Sequence, residues 1–491
     1  MRRVRYHDCV PTYHVENFGC RATQADGAAL GRQFEARGLS RAGADQADLV
    51  VLNSCTVTNA ADQDARAAIR RVQRQNPLAK IIVTGCYAQR APKEVAALPG
   101  VSYVVGNSHK HQLAEIVLSD FLTDTRSVDE TVDETKNAAP QFLPLSTLTE
   151  NRELRTENWI YVSDIFAHTE LLAAPVFESA GGGTAAHENE RTRPTVKVQD
   201  GCDNRCSFCV IPSVRGHSRS LPLSQVIREV NALVESGYRE VVISGINLGR
   251  WGRDLAPLKA EAKRRELRFE LLVRNILAET TLEKLRISSV EPMDWSDELI
   301  QLMASSPRIA KHAHVPLQSG SDAVLRRMHR KYRPWHYREK IQKIRAAIPA
   351  AAIGADVMAG FPGETDSEFD ATRSLIEDLP LTYLHVFTYS ARPGTPAATL
   401  PNQVPVHIAR ERTRILRDLG ASKKQSFMQS FIGKPLQAIT LNVVHNAVDG
   451  EFTEALTDNY LKLFMKKPHP PNRWITADID GFENSALIST R

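Results

Sequence analysis

Short β-branched runs, each passing into a polar loop and then an amphipathic helix, recur along most of this 491-residue chain. "ADLVVLNSCTVT" (47–58) is such a run, followed by the helical "DQDARAAIRRVQRQNP" (62–77), which Asn76-Pro77 ends. "AKIIVTGCYAQR" (79–90) and "YVVGN" (103–107) continue the series. Strands this apolar, separated by helices, predict a parallel α/β sheet covered on both faces, over residues 10–117. The pattern resumes at "PTVKVQDGC", the start of a domain over 193–428. There "SQVIREVNALVESG" (224–237) reads as a helix started by Ser224 and stopped by Gly237, with Val226, Ile227, Val230, Leu233 and Val234 on one face. "EVVISGINLG", "KLRISSVEP", "KHAHVPLQSG", "AAIGADVMAGFPGE" and "YLHVFTYSARPGT" then follow as strand-and-loop segments. So many strand–helix units predict a partial or complete (β/α) barrel. From about 430 the helices cease, and "PLQAITLNVV", "TDNYLKLFM" and "WITADIDGF" predict a small antiparallel β-barrel over 430–491. Residues 118–192 are polar, charged or Gly-rich around one apolar patch, "WIYVSDIF", and read as a partly disordered insertion or linker.

The composition, 42% apolar and 24% charged, excludes global disorder. A net charge of +5 is compatible with an RNA partner and does not establish one. "MRRVRYHDCV" carries positive charge but no apolar core of a signal peptide, and no run of about eighteen apolar residues follows anywhere. No membrane span is expected, and the expected location is cytoplasmic. In that compartment closely spaced cysteines read as metal-binding or catalytic rather than as a disulfide framework, and seven is an odd number.

"QDGCDNRCSFCVIPSVRG" (199–216) places Cys202, Cys206 and Cys209 within eight positions, with no fourth cysteine after them. Asp203, Asn204 and Arg205 between them mark a loop and not a core strand. Zinc and most iron–sulfur sites take four protein ligands, so a set of three leaves one coordination position for something else. An iron–sulfur cluster with one open iron fits; a zinc ion with a distant histidine is the alternative. Three more cysteines, Cys20 in "ENFGCRATQADG", Cys55 and Cys86, sit in loops that follow strands of the first domain. In a parallel sheet such loops converge on one edge, so these three can meet although far apart in sequence. Cys9 falls outside every motif and reads as structural or incidental.

The CxxxCxxC spacing with Phe208 before its last cysteine resembles the radical S-adenosylmethionine (SAM) superfamily. With "FGCRATQADG", "NSCTVT" and "TGCYAQR" in the first domain, nearly the whole chain outside 118–192 resembles the radical SAM methylthiotransferases, and the C-terminal barrel resembles their TRAM module. The resemblance implies two [4Fe–4S] clusters and SAM. Cys202, Cys206 and Cys209 would hold the cluster whose open iron binds SAM and yields a 5′-deoxyadenosyl radical, and Cys20, Cys55 and Cys86 the cluster that delivers sulfur. Thr23 departs from the family's asparagine in "GCxxNQ", which alters one local hydrogen bond and no cluster ligand. "VQDGCDN", "ISGINLGRWG", "RISSVEP" and "HAHVPLQSGSDAVLRRMHRKY" are most similar to the branch that modifies C2 of threonylcarbamoyladenosine 37 in tRNA. The isopentenyladenosine and ribosomal-protein branches are alternatives, and an RNA-binding protein with a structural metal site is one of a different class.

By their positions after strands, Gly245, Asn247, Glu291, Gln318 and Asp356 are expected around SAM. "GFPGE" (360–364) lacks a Walker lysine and is expected to be a tight turn shaping the site. "RRMHRKYRPWHY" (326–337) interleaves basic and aromatic residues, making Arg326, Arg327, Arg330 and Lys331 candidates for contact with a tRNA anticodon stem-loop, with Asn459 and Tyr460 of the C-terminal domain beside them. The expected partners besides tRNA are an electron donor of flavodoxin or ferredoxin type and an unidentified sulfur donor, with no membrane, and the expected state is monomeric.

Overall fold

The computed structural model describes residues 10–126, 159–169, 171–172, 193–255, 267–446 and 450–490. They fall into two compact units, one ending at His168 (apart from Val57–Asn59) and one beginning at Thr169. The first holds six strands, β1 (Thr12–Asn17), β2 (Ser40–Arg41), β3 (Leu49–Ser54), β4 (Lys80–Gly85), β5 (Val101–Gly106) and β6 (Trp159–Tyr161). Their order is β2-β1-β3-β4-β5-β6 and every pairing is parallel. Val50, Leu52, Ile81 and Val83 pack on Ala65, Ala68, Ile69 and Val72 of the helix Asn59–Gln75. Leu49, Val51 and Ile82, which point the other way, are equally buried, so both faces of the sheet are covered.

One expectation is corrected here. The patch assigned to an insertion supplies the edge strand of this sheet: Trp159, Ile160 and Tyr161 of β6 pair with Tyr103, Val104 and Val105, and Ile165 just beyond is buried. The preceding helix, Leu113–Arg126, also runs past the expected boundary at 117. Three strand-forming residues find an open edge to complete, which local composition does not disclose. The remaining 127–158, 170 and 173–192 of that stretch, like Cys9, lie outside the described residues.

The second unit begins with β7 (Thr195–Asp200), β8 (Arg219–Ser220), β9 (Glu240–Gly245) and β10 (Lys284–Ile287), ordered β10-β9-β7-β8, with β8 antiparallel to β7. β11 (His312–His314), β12 (Ala352–Ala359) and β13 (Tyr383–Thr388) form a second parallel set. Parallel bridges Leu285↔Ile309 and Ser289↔His314 join the two sets. The result is a partial barrel of six parallel strands whose core includes Val198, Val241, Ile243, Leu285, Ile287, Ile353 and Val357. The helix expected from Ser224 is Leu223–Glu235. Its N-cap is Pro222, so no side chain caps it, and burial of Val226, Ile227, Val230 and Leu233 holds it in place.

The C-terminal strands are β14 (Pro435–Asn446), β15 (Gly450–Thr457), β16 (Lys462–Met465), β17 (Trp474–Asp478), β18 (Gly481–Glu483) and β19 (Ala486–Ser489), ordered β17-β14-β15-β16-β19-β18. Only Ile479 and Asp480 separate β17 from β18, so the two ends of the sheet are one bent segment and the strands close into a barrel. It is antiparallel as expected except at β16–β19, which is parallel.

This barrel docks on the amino-terminal ends of the parallel strands. Asn459 Nδ2 donates to the Ala350 carbonyl at 3.1 Å, and Lys284 pairs with Asp458 at 3.1 Å. Arg286 donates to the carbonyls of Asp458 and Thr457 at 3.3 and 3.4 Å. The Tyr460 ring lies 4.3 Å from that of His312 and 5.3 Å from the Arg286 guanidinium. The expectation that Asn459 faces RNA is thereby corrected. Asn459 is 3% exposed and its amide is spent on the joint, while Tyr460 packs on His312 and stays half-buried.

Candidate active site

In the first unit the three cysteines come from adjacent strands. Cys20 follows β1 and caps the helix Arg21–Glu35, Cys55 follows β3 directly, and Cys86 follows β4 and begins the helix Cys86–Arg90. Gly19 lets its loop lie against Cys55; a Cβ there would stand 3.0 Å from the Cys55 sulfur. The loops after β3 and β4 are tied together, since Thr56 donates to Asp62 at 2.6 Å and Arg90 donates to both, at 2.8 and 3.0 Å. Buried Lys110 reaches Asp26 at 3.0 Å and Asn53 at 3.1 Å. Asn53 in turn donates to Asn17 and to the Thr23 carbonyl, at 2.9 and 2.7 Å, fixing the helix that Cys20 opens. Thr23, the departure from the family pattern, keeps a contact to Cys20, its hydroxyl lying 3.6 Å from the sulfur.

In the second unit β7 leads into the loop of Cys202, Cys206 and Cys209. Gly201 turns the chain at φ +71°, where a Cβ would run into the His217 carbonyl. Gly201→Ala is expected to cost at least about 2 kcal/mol through the left-handed strain and the forced shift of this loop. Denaturant unfolding and the iron content after reconstitution measure it.

Beneath the loop, Asp200 accepts from Lys197 at 3.0 Å and from Arg215 at 2.9 Å through both oxygens. Burial opposes its charge, but Arg215 and Lys197 outweigh that and hold the carboxyl far below the ordinary range. Gln199 clamps the same turn: its amide donates to the carbonyls of Asp200 and Gly201, at 2.9 and 2.8 Å, and its oxygen accepts from the Asn247 backbone at 2.7 Å.

Several donors point at the sulfurs. Arg330 Nη1 lies 3.2 Å from Cys206, Asn247 Nδ2 3.6 Å and the Asn204 backbone nitrogen 3.4 Å from Cys202. Arg330 also pairs with Glu291 and donates to Tyr332 at 3.2 Å. Burial pushes the Cys209 thiol up to about 12 and raises Cys202 as well, so both stay neutral until a metal displaces their protons. Phe208 meets Phe361 of "GFPGE" edge-on at 6.5 Å, and Glu364 of that turn accepts from Gly360 and Arg412 at 2.8 Å each.

The other expected site residues divide. Gly245 and Asn247 lie at the end of β9 next to Gln199, and Glu291 is joined to the cysteine loop through Arg330. Gln318 bridges to Val357 with φ +62°. Asp356 is held instead between His314 and His385, 3.3 Å from each. Of the expected RNA contacts, Arg326 and Lys331 are exposed, while Arg327 is tied to Glu368 at 2.7 Å. Arg330 is buried against Cys206, which removes it from the RNA-facing set and makes it part of the cysteine site. Sequence reasoning missed Gln199 and this role of Arg330. For Gln199 the signal was its place two residues before a strand-ending glycine.

Residues 196–376 match the model of the radical SAM superfamily, and residues 12–106 that of the uncharacterised protein family UPF0004. A Bacillus subtilis (strain 168) protein named threonylcarbamoyladenosine tRNA methylthiotransferase MtaB is 33% identical over 93% of this chain and 90% of its own. The chain belongs to the radical SAM methylthiotransferase family. A tRNA-2-methylthio-N(6)-dimethylallyladenosine synthase of Novosphingobium aromaticivorans is 32% identical over 87% of this methylthiotransferase and 86% of its own length. Among solved structures, the radical SAM methyltransferase TsrM from Kitasatospora setae matches with a TM-score of 0.51 and 15% identity over 79% of this chain and 75% of its own, a likeness of fold alone. Membership decides between zinc and an iron–sulfur cluster in favour of the cluster. The donor set fits it: three thiols without a fourth, an arginine and an amide aimed at the sulfurs, and a buried Asn247 Oδ1 that makes no hydrogen bond within the described chain.

Proposed function

We propose that this tRNA methylthiotransferase acts on N6-threonylcarbamoyladenosine at position 37, beside the anticodon, and places a methylthio group on its C2 atom. The observation that carries the reaction class is the pair of cysteine trios at the carboxyl ends of parallel strands, each one ligand short of four. SAM and two [4Fe–4S] clusters supply the one-electron chemistry that removes a hydrogen from an unactivated ring carbon, and the sulfur that replaces it. Cys202, Cys206 and Cys209 hold the SAM-binding cluster, and Cys20, Cys55 and Cys86 the auxiliary one. Arg330 sets positive charge beside Cys206, and it fixes Glu291 within reach of the same loop. Asn247 offers an unpaired acceptor suited to an ammonium group, Gly245 ends the strand just before it, and Gln318 bridges to β12.

Of the expected cations, Lys331 and Arg326, the latter paired with Asp322 at 2.9 Å, are exposed toward an anticodon arm, whose target purine must leave its stack to reach a buried site. The choice of base rests on "VQDGCDN", "ISGINLGRWG" and "RISSVEP" and on relatives bearing that name. We further place the enzyme in the cytoplasm as a monomer reduced by a flavodoxin- or ferredoxin-type donor; among the described residues no helix is long and apolar enough to cross a membrane. Mass spectrometry of digested tRNA from a strain lacking the gene tests the substrate. Methylthio-threonylcarbamoyladenosine should vanish and its unthiolated parent accumulate. Loss of the methylthio-dimethylallyl nucleoside instead would assign the other branch.

A further inference from the structure

β11, β12 and β13 lie side by side, and three ligand-bearing side chains on them meet at one point. His314 Nε2, Asp356 Oδ1 and His385 Nδ1 all lie within 4.8 Å of one another, the one such set of His, Cys, Asp or Glu among the described residues. We propose that this trio is a binding site for a divalent transition-metal ion.

Register explains the convergence. Asp356 and His385 are direct partners across β12 and β13, and His314 is opposite Gly354, two residues before Asp356 and so on the same face. Each imidazole nitrogen is 3.3 Å from the same carboxylate oxygen. Ligands bound to a four-coordinate ion at about 2.0–2.1 Å stand roughly 3.3–3.4 Å apart, so the spacing is that of a coordination edge. A hydrogen-bond network accounts for it less well. Nε2 of His314 is buried and makes no hydrogen bond, its approach to Asp356 being misaligned, while His385 takes up the same oxygen. A buried imidazole nitrogen whose polar neighbour is misaligned for a hydrogen bond is a rare arrangement unless something else fills its lone pair. The ring of Tyr383 walls the trio, 6.1 Å from His314 and 5.3 Å from His385.

There is also a way in. His385 is half exposed and lines a cavity of about 380 Å³ together with Tyr383, Tyr460, Arg193 and Lys462. Two imidazoles and one carboxylate on an ion leave at least one position for water or for an oxygen or nitrogen donor entering by that cavity.

The test uses the holoenzyme with both clusters oxidised and therefore silent in electron paramagnetic resonance, titrated with Mn2+. This hard ion is accepted by carboxylate and imidazole and has little affinity for thiolate. About one Mn2+ per chain should leave the free-ion signal, with electron spin-echo modulation from directly bound histidine nitrogen. His385→Gln, at a half-exposed position, and Asp356→Asn should each weaken binding at least tenfold while iron and sulfide content stay unchanged. No bound Mn2+, bound Mn2+ without nitrogen modulation, or equal binding by both variants would overturn the site.

Discussion

Replacing Cys202, Cys206 and Cys209 together by alanine is expected to halve the iron of the reconstituted enzyme, from about eight to about four per chain, and to abolish reductive cleavage of SAM. The same triple replacement at Cys20, Cys55 and Cys86 should remove the other half yet leave SAM cleavage to 5′-deoxyadenosine in place. Methylthiolated tRNA should fall at least roughly a thousandfold in both, equivalent to about 4 kcal/mol. The asymmetry is the informative part. The trios sit in separately packed units, each at the ends of its own parallel strands, so emptying one leaves the other's scaffold intact. Iron and sulfide analysis with chromatography of the nucleoside products reads both quantities. If the Cys20, Cys55 and Cys86 variant also stopped SAM cleavage, the division of labour would be wrong.

The second large effect is on stability. Glu240 and Arg286 are both fully buried and joined at 2.6 Å, with Arg193 3.6 Å from the same carboxylate. Glu240→Ala leaves the Arg286 guanidinium buried with only carbonyl acceptors from the C-terminal barrel. A loss of about 3–5 kcal/mol is expected, and the double replacement of both residues by apolar side chains should recover much of it. Burial alone would raise the Glu240 carboxyl, but Arg286 and Arg193 bring it below the ordinary glutamate range. A depressed folded value means that the contribution is complete above about pH 4.3 and is lost as pH falls through the folded value. The wild-type enzyme should therefore lose more stability on acidification than Glu240→Gln does. Denaturant midpoints measured from about pH 6 down through about pH 4.3 to about pH 2 show whether it does.

The two trios were legible in the sequence because a loop cysteine is announced by its place after a strand, and a parallel sheet gathers such loops. The partial barrel was legible for a similar reason: each strand–helix unit declares itself locally. Arg330 was not. It stands in a basic run that looks like an RNA-facing surface, and only the fold brings it 3.2 Å from Cys206, more than a hundred positions earlier. Nor could composition show that Asn459 would be used up in a joint, or that Trp159–Tyr161 would cross a long polar stretch to finish a sheet. His314, Asp356 and His385 lie in plain strand segments, and their meeting depends on register across three of them. What stays hidden in each case is long-range pairing, which no local window contains.

The docking of the C-terminal barrel on the amino-terminal strand ends has a metrical consequence. The cysteine loop leaves the opposite end of β7, a six-residue strand. At about 3.3 Å per residue, the two ends are separated by roughly 20 Å. Lys284 paired with Asp458, and Arg286 bonded to the Thr457 and Asp458 carbonyls, tie the C-terminal barrel to that end of the strands. A nucleic acid that touched both the C-terminal barrel and the cysteine loop would have to span that length.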